Sequence, residues 1–503
     1  MSWTIYISFI GMLAVLLLPP RHETRARWVA LVVAGCGLWI GFTGAMEFGG
    51  GPVVKELINI PWITIQKLDS HTILPELTIR YALAVDGISA VMVILTGLAA
   101  TAGVLFSWNI EHRVREYFAF YLALIGGVYG VFLSADLFLL FVFYEIAIVP
   151  KYFLIAIWGS TRREYGAMKL ALYSFVGSAF VLIGMISAFA VSGGHSFMLV
   201  DLAKVQFSAD FQARAFPLVF VGFAILAGIW PFHTWAPTGH VAAPTAVSML
   251  LAGVIMKLGA YGALKVAMTM FPEGLLYWRD TIALVAVIGI VYGAMVAWTQ
   301  KDFKFVIGYS SVSHMGFVML GLATLNEVGL SGAVLQMFSH GIIAGLLFAV
   351  VGRMVYARTH TRDLDELSQM PLGQEMPFAA VVFTIAGLAS MGLPGFSGFV
   401  AELQVVLGAW KAFPLYAVIC GAGIIIGVTY TLKAIQTVFF TERTGDPKLL
   451  ELPHITFSEK LGAALLIGAS LWVGLFPGYM LEHLIHPAFE TELFEGLRKE
   501  AGW

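Results

Sequence analysis

Charge is what this 503-residue chain has least of. Asp, Glu, Lys and Arg make up 12% of it, against about 25% in an ordinary soluble domain. The few charges balance, 31 acidic against 29 basic, and the Lys and Arg are dispersed through short loops. Such a chain has no basic stripe for a phosphate backbone, which excludes nucleic acid as a partner. Cysteine is scarce too. Cys36 and Cys420 lie in separate apolar segments, with no Cys-x-x-Cys or Cys/His spacing. No metal site and no redox centre are therefore expected in this chain. The first apolar stretch, Trp3 to Pro19, has no positive residue before it, and Arg21, Arg25 and Arg27 follow it. That order is the reverse of a cleaved secretory signal, so the stretch reads as a retained first membrane helix.

What fills the chain instead is apolar: 59% of the residues are hydrophobic and the mean hydropathy is +0.85. The expected fold class is an all-α integral membrane protein in contact with lipid. Apolar runs long enough to span a hydrocarbon core of about 30 Å fall at 3–19, 28–45, 83–107, 117–133, 137–158, 167–191, 216–236, 244–271, 281–299, 305–323, 329–356, 378–410, 414–440 and 461–477, which is about fourteen helices. The cation-bearing short loops alternate: Arg21/Arg25/Arg27, Arg113/Arg115, Arg162/Arg163, Lys301/Lys304, Arg358/Arg362 and Arg443/Lys448 all fall on one side. By the positive-inside rule that side is the cytoplasm, and both termini face outward. The intervening stretches Gly49 to Arg80 and Ser192 to Ala215 are longer and poorer in cations.

Two spans are interrupted, one by Trp230-Pro231-Phe232-His233 and the other by Met391-Gly392-Leu393-Pro394-Gly395. Pro231 and Pro394 are 163 residues apart, as are the helix starts near 118 and 281. This spacing divides the chain into three N-terminal helices (1–107), two five-helix units (117–271 and 281–440), and a last helix with its tail (461–503). An odd helix number per unit inverts the second unit relative to the first. Inverted repeats with matching breaks point to an ion path near the membrane midplane, because a broken helix is tolerated only inside protein or beside water. A proline kink packed against its neighbours is the alternative for either break alone.

Within these spans sit groups that do not belong in hydrocarbon. Glu145 and Lys257 are each about 15 Å from the nearest end of their helices, where an ionised side chain costs roughly 2.5 kcal/mol or more and marks an ion path. His233, His240, His314, His340 and Glu402 are the other titratable groups in apolar surroundings. Together they form a set able to pass protons laterally. Lys151 and Lys169 lie near the loop of Arg162 and Arg163, and Lys265 and Lys433 near helix ends, so snorkelling to the interface is the plainer reading for these four.

Several stretches carry a resemblance to a known family. They are Asp86-Gly87-Ile88-Ser89, Phe143-Tyr144-Glu145-Ile146 to Pro150, Pro231-Phe232-His233-Thr234-Trp235-Ala236-Pro237, His240-Val241-Ala242-Ala243-Pro244-Thr245, Leu251-Ala252-Gly253 to Lys257, Tyr309-Ser310-Ser311-Val312-Ser313-His314 and Gly395 to Glu402. Over nearly its whole length the chain resembles the subunit M (mitochondrial chain 4) family of proton-pumping NADH:quinone oxidoreductase, respiratory complex I. The resemblance implies fourteen helices with the seventh and twelfth discontinuous. It implies a place in the membrane arm of a bacterial inner-membrane complex, beside antiporter-like subunits L and N. NADH, FMN, iron-sulfur clusters and quinone are implied to be handled in other subunits, with no cofactor in this chain.

By position, Glu145 is the implied fifth-helix carboxylate, Lys257 the central lysine, His314 and His340 the linking histidines, and Glu402 the exit-side group. His233, His240, Pro231 and Pro394 belong to the broken helices. One position departs: the family's seventh-helix lysine, which pairs with the fifth-helix Glu, is Leu226 here. Lys151, Lys169 and Lys257 are the candidate substitutes.

Related families remain open as alternatives: multisubunit Na+/H+ exchangers, membrane-bound hydrogenases, or a membrane-arm subunit that only bridges its neighbours. Glu402 speaks against most antiporter relatives and against subunits L and N, which carry a lysine there. Only 26 residues follow the fourteenth span, whereas subunit L continues into a long lateral helix. A stand-alone transporter would need a substrate pocket, and no cluster of recognition groups suggests one.

Overall fold

The computed structural model describes residues 1–19, 21–65, 77–194, 196–441 and 452–502. Its helices are α1 (Trp3–Leu17), α2 (Glu23–Phe48), α3 (Gly87–Phe106), α4 (Val114–Leu133), α5 (Leu137–Trp158), α6 (Arg163–Val191), α7 (Ala209–Ala227), α8 (Trp235–Ala242), α9 (Thr245–Met268), α10 (Pro272–Thr299), α11 (Phe303–Ala323), α12 (Glu327–Thr359), α13 (Pro377–Ser390), α14 (Ser397–Ala412), α15 (Pro414–Phe439) and α16 (Phe457–Leu475), with short helical turns over 478–501. Among the described residues twelve helical stretches are long and apolar enough to cross a membrane, counting Ala209–Ala242 as one. The shorter apolar helices α1 and α13 stand where the sequence places two more spans.

The fold is mostly helical, as expected, with one addition. Lys55–Ile65 (β1) and Leu77–Val85 (β2) pair as an antiparallel hairpin, with Ile60 opposite Tyr81. In both strands β-branched and aromatic residues stand close together, as at Ile58, Ile60, Trp62 and Ile63, and pairing across a ladder suits them better than a helix does. The third span consequently begins at Gly87 rather than at 83, with Asp86 as its N-cap accepting the Ser89 amide at 2.8 Å.

The loops richest in cations gather on one face. Arg27 donates to the Ile110 carbonyl at 2.8 Å, Trp158 Nε1 to His112, Arg362 to Val241 and Arg358 to Pro453. The opposite face holds the hairpin and the C-terminal turns, where Lys204 pairs with Glu492 at 3.0 Å, and Met1 packs there against Gly44. The Arg443/Lys448 loop lies outside the described residues.

A clasp of the same geometry occurs twice. Before α5, Leu137 N donates to Phe197 O at 2.8 Å and Leu199 N to Ala135 O at 2.9 Å, while Asp136 caps Phe138 and Leu139. Before α11, Phe303 N donates to Arg362 O and Leu364 N to Lys301 O, both at 2.8 Å, while Asp302 caps Lys304 and Phe305. The second clasp lies on the cation-rich face and the first on the other. The clasps tie α5 and α11, the helices that carry Glu145 and His314, to the loops following α6 and α12.

The two breaks use the same device. Gly228 (φ +71°) ends α7 and Gly392 (φ +72°) follows α13, each in the left-handed region that glycine enters without strain. At the first break Ile225 O keeps only the Gly228 amide of the backbone, at 3.1 Å. The buried indole of Trp235 donates to it at 2.7 Å, which keeps the break closed to lipid.

Because a buried hydrogen bond contributes about 0.5–1.5 kcal/mol net, Trp235→Phe is expected to lower the thermal unfolding midpoint of the detergent-purified protein, although Ile225 O keeps the Gly228 amide. Trp410→Phe, on a side chain 57% exposed, is expected to leave stability within about 0.5 kcal/mol.

Candidate functional site

The centre of the molecule is built by α9 and α12, both fully buried over their apolar windows. They touch backbone to backbone: a Cβ on Gly341 would lie 2.6 Å from Gly253 O, and one on Gly253 3.0 Å from Gly341 O. That approach brings Lys257 of α9 beside His340 of α12, with Lys257 Nζ 2.7 Å from His340 Nδ1. α9 is wound as a π-helix over Leu251–Ile255. A π turn frees backbone carbonyls from their usual partners and is frequent at functional sites. The freed carbonyl of Ala252, five residues back, accepts from the Lys257 ammonium. Lys257 is fully buried, and among the described residues no carboxylate touches it.

From His340 the row continues into the second broken helix. The rings of His340 and His314 stack with centroids 5.3 Å apart. His314 Nδ1 lies 3.0 Å from Glu402 Oε1, and His314 Nε2 lies 3.2 Å from Ser390 Oγ. Gln336, one turn before His340 on α12, donates to Glu402 Oε1 at 3.3 Å. His340 Nε2 has no protein partner and borders a cavity of about 10 Å³ lined by Ser310, Ser311, Ser339 and Ser390 beside the two histidines. That space suits about one water, with more than enough polar partners to hold it. The second break positions the far end of the row. Glu402 sits in the second turn of α14, and a Cβ on Gly392 would lie 3.1 Å from its Oε2. Ser390 is the last residue of α13.

Lys257, His340, His314 and Glu402 thus come together in one row, while the other sequence-predicted residues lie elsewhere. Glu145 on α5 is only half-buried and faces Ser178 of α6 and the charge of Lys151. Its Oε1 has no protein partner. Lys169 donates to Thr238 Oγ1 at 3.3 Å, and neither Lys169 nor Lys257 contacts Glu145. His240 on α8 is buried with both ring nitrogens unpartnered and packs on Phe348 at 5.2 Å. Its electrostatic neighbours are Lys257 and Lys304. His233 lies edge-on to Tyr292 at 5.1 Å, beside the break at Pro231. Pro394 lies in the second break, between Gly392 and Gly395, and Leu226 is buried on α7.

Two lysines correct the snorkelling expectation. Lys151 is 1% exposed and donates to Ser174 Oγ at 3.0 Å. Lys265 is buried against Asp86, joined by Ser89 and by the Tyr261 hydroxyl, which donates to Phe132 O at 2.9 Å. In each case a side-chain acceptor inside the bundle competes with the interface for the ammonium, and a hydropathy plot does not show where that acceptor is. Lys304, counted above as a loop cation, turns inward in the same way: it is 2% exposed and donates to Ala243 O at 2.9 Å and to Ser248 Oγ at 3.3 Å. Gln336 and Ser390 were not foreseen. Their one sequence signal is position, one turn before a span-centre histidine and immediately before a break.

The chain is similar to known proteins over most of its length. The sequence model of the family described as "NADH:quinone oxidoreductase/Mrp antiporter, TM" matches residues 134–427. Among curated relatives, NADH-quinone oxidoreductase subunit M of Pseudomonas aeruginosa is 35% identical over 501 residues, covering 96% of this chain and 95% of that protein. NAD(P)H-quinone oxidoreductase chain 4 1 of Synechococcus sp. is 35% identical over 486 residues, covering 94% and 89%. Among solved structures, a chain of respiratory complex I from Thermus thermophilus with bound NADH superposes with a TM-score of 0.85 at 27% identity, each chain covered completely. A chain of the Mrp complex from Dietzia sp. shares the fold, with a TM-score of 0.81 at 21% identity, covering 98% and 97%. The chain belongs to the NADH:quinone oxidoreductase/Mrp antiporter transmembrane family.

Proposed function

We propose that this chain is an antiporter-like, proton-translocating membrane subunit of NADH:quinone oxidoreductase, moving protons outward from the cytoplasm while quinone is reduced elsewhere in the complex. The observation that carries the reading is the buried row Lys257, His340, His314, Glu402, in which every neighbouring pair is in hydrogen-bond or ring-stacking contact. A lone ammonium in such surroundings would merely be costly. One whose Nζ–H points at an imidazole nitrogen has a proton acceptor in place.

The row works as a relay. Lys257 Nζ gives a proton to His340 Nδ1, and the imidazolium releases its other proton from Nε2. One water in the serine-lined cavity carries it past the stacked rings to His314, and Glu402 takes it from Nδ1. Ser390 holds the orientation of His314 at Nε2, and Gln336 holds the Glu402 carboxylate that Nδ1 faces. Imidazole carries this step because it donates and accepts through opposite nitrogens.

In this reading the cation-rich face is cytoplasmic, both termini lie outside, and the membrane is the bacterial inner membrane. Lipids and the antiporter-like subunits L and N cover the apolar flanks, and NADH, FMN, iron-sulfur clusters and quinone belong to other subunits. The recurrence of the clasp before α5 and α11, on opposite faces, supports reading 117–271 and 281–440 as two inverted five-helix units.

The test is NADH-driven proton uptake and quinone reduction in inverted membrane vesicles holding an assembled complex. Glu402→Gln is expected to lower both rates about tenfold, the scale of one lost charged hydrogen bond at a rate-determining transfer. Unchanged rates would mean that protons leave by another route.

Gly392→Val adds a second arm. It forces a β-branched residue to φ +72° and puts carbon against the Glu402 carboxylate, a strain of about 1–3 kcal/mol. Its rates are expected to fall with those of Glu402→Gln, although no ionisable group has been changed.

A further inference from the structure

The proposed row leaves a second buried charge unused. Lys151 lies wholly inside the protein, and its ammonium makes its one hydrogen bond to Ser174 Oγ at 3.0 Å. A charge so placed needs a counter-charge. The acidic group acting on it is Glu145, six residues earlier on the same helix. Pro150 lies between them on α5 and removes a backbone donor from that turn. The two side chains meet one stripe of α6: Lys151 bonds Ser174 while Glu145 faces Ser178, exactly one helical turn further along. Because α5 and α6 run antiparallel, the order is consistent, with both Glu145 and Ser178 on the side away from the cation-rich face. The ammonium and the carboxylate are not in ion-pair contact, and Glu145 Oε1 is buried with no protein partner. One serine therefore holds the lysine while a carboxylate oxygen stands free one turn away.

α7 supplies no charge to this place. Gly222 packs on Gly177 of α6 so closely that a Cβ on Gly222 would lie 2.6 Å from Gly177 O, and Ile225 lies against the same glycine. Leu226, one turn past Gly222 on that face, comes level with Ser174 and is buried. The face of α7 next to the pair is thus apolar, and the positive charge reaches the site from α5.

We infer that Lys151 is the cationic partner of Glu145 in this chain, resting on Ser174 and able to swing one turn along the serine stripe to close the ion pair. Opening and closing that pair changes the charge that the rest of the buried row experiences, which makes Lys151 a positioning residue for the transfer at Lys257. The inference rests on the proton-conducting reading given above.

The test compares wild type, Glu145→Gln, Lys151→Gln, Glu145→Gln/Lys151→Gln and Lys151→Gln/Leu226→Lys in the assembled complex, by proton uptake and quinone reduction in inverted vesicles. Lys151→Gln keeps a donor for Ser174 while removing the charge, and where it fails to assemble Lys151→Met takes its place. Each single variant is expected to lose about tenfold in both rates. The double variant is expected to lose no more than the worse single, since partners in one interaction are not additive. Lys151→Gln/Leu226→Lys is expected to regain most of the loss, because the ammonium then arrives at Ser174 from α7. A structural role for Lys151 would not be rescued from another helix. Additive losses, or wild-type rates in Lys151→Gln while Glu402→Gln is impaired, overturn the pairing and leave the relay standing. Wild-type rates in both Lys151→Gln and Glu402→Gln overturn the relay itself.

Discussion

An ammonium group buried in a bundle that crosses hydrocarbon sets the terms for the rest of this molecule. Among the described residues Lys257 has no carboxylate in contact, so its charge is met by a backbone carbonyl and an imidazole nitrogen. Both are available because α9 is wound as a π-helix over Leu251–Ile255 and approaches α12 within glycine contact at Gly253 and Gly341. The π turn that frees the Ala252 carbonyl and the small residues that let the helices touch serve one purpose. They solvate a charge where water and lipid headgroups are out of reach.

The same constraint explains the broken helices. A helix end inside the membrane leaves backbone groups that must be satisfied locally. At Gly228 the Trp235 indole joins the Gly228 amide on the Ile225 carbonyl. At Gly392 the missing Cβ leaves room for the Glu402 carboxylate, so the second break both ends a helix and seats the acid at the far end of the row. The paired clasps before α5 and α11 fix how these helices enter the bundle, on opposite faces. The site is shared among four helices: Lys257 comes from α9, and His314, His340 and Glu402 come from α11, α12 and α14.

Much of this was legible in the sequence, for a physical reason. In apolar spans a titratable residue stands out, so Glu145, Lys257, His314, His340 and Glu402 could be named without coordinates, and the Pro and Gly clusters marked both breaks. What was hidden depends on contacts between distant segments. Lys151, Lys265 and Lys304 read as interface cations because their acceptors, Ser174, Asp86 and the Ala243 carbonyl, are on other helices or past a break. The ladder of Lys55–Ile65 and Leu77–Val85 was hidden because it joins residues far apart in the sequence, as in Lys55 opposite Val85. Gln336 and Ser390 are neutral polar residues of the kind that occurs throughout membrane helices, and only their contacts with His314 distinguish them.

The account stands or falls on Lys257 as the proton-carrying centre. The decisive measurement is NADH-driven proton uptake, with quinone reduction followed in parallel, in inverted vesicles carrying Lys257→Ala in an assembled complex. The account predicts that both rates fall together by about tenfold or more, because His340 then has no donor and the row no source. Wild-type uptake in that variant would contradict it and place the proton path outside the row.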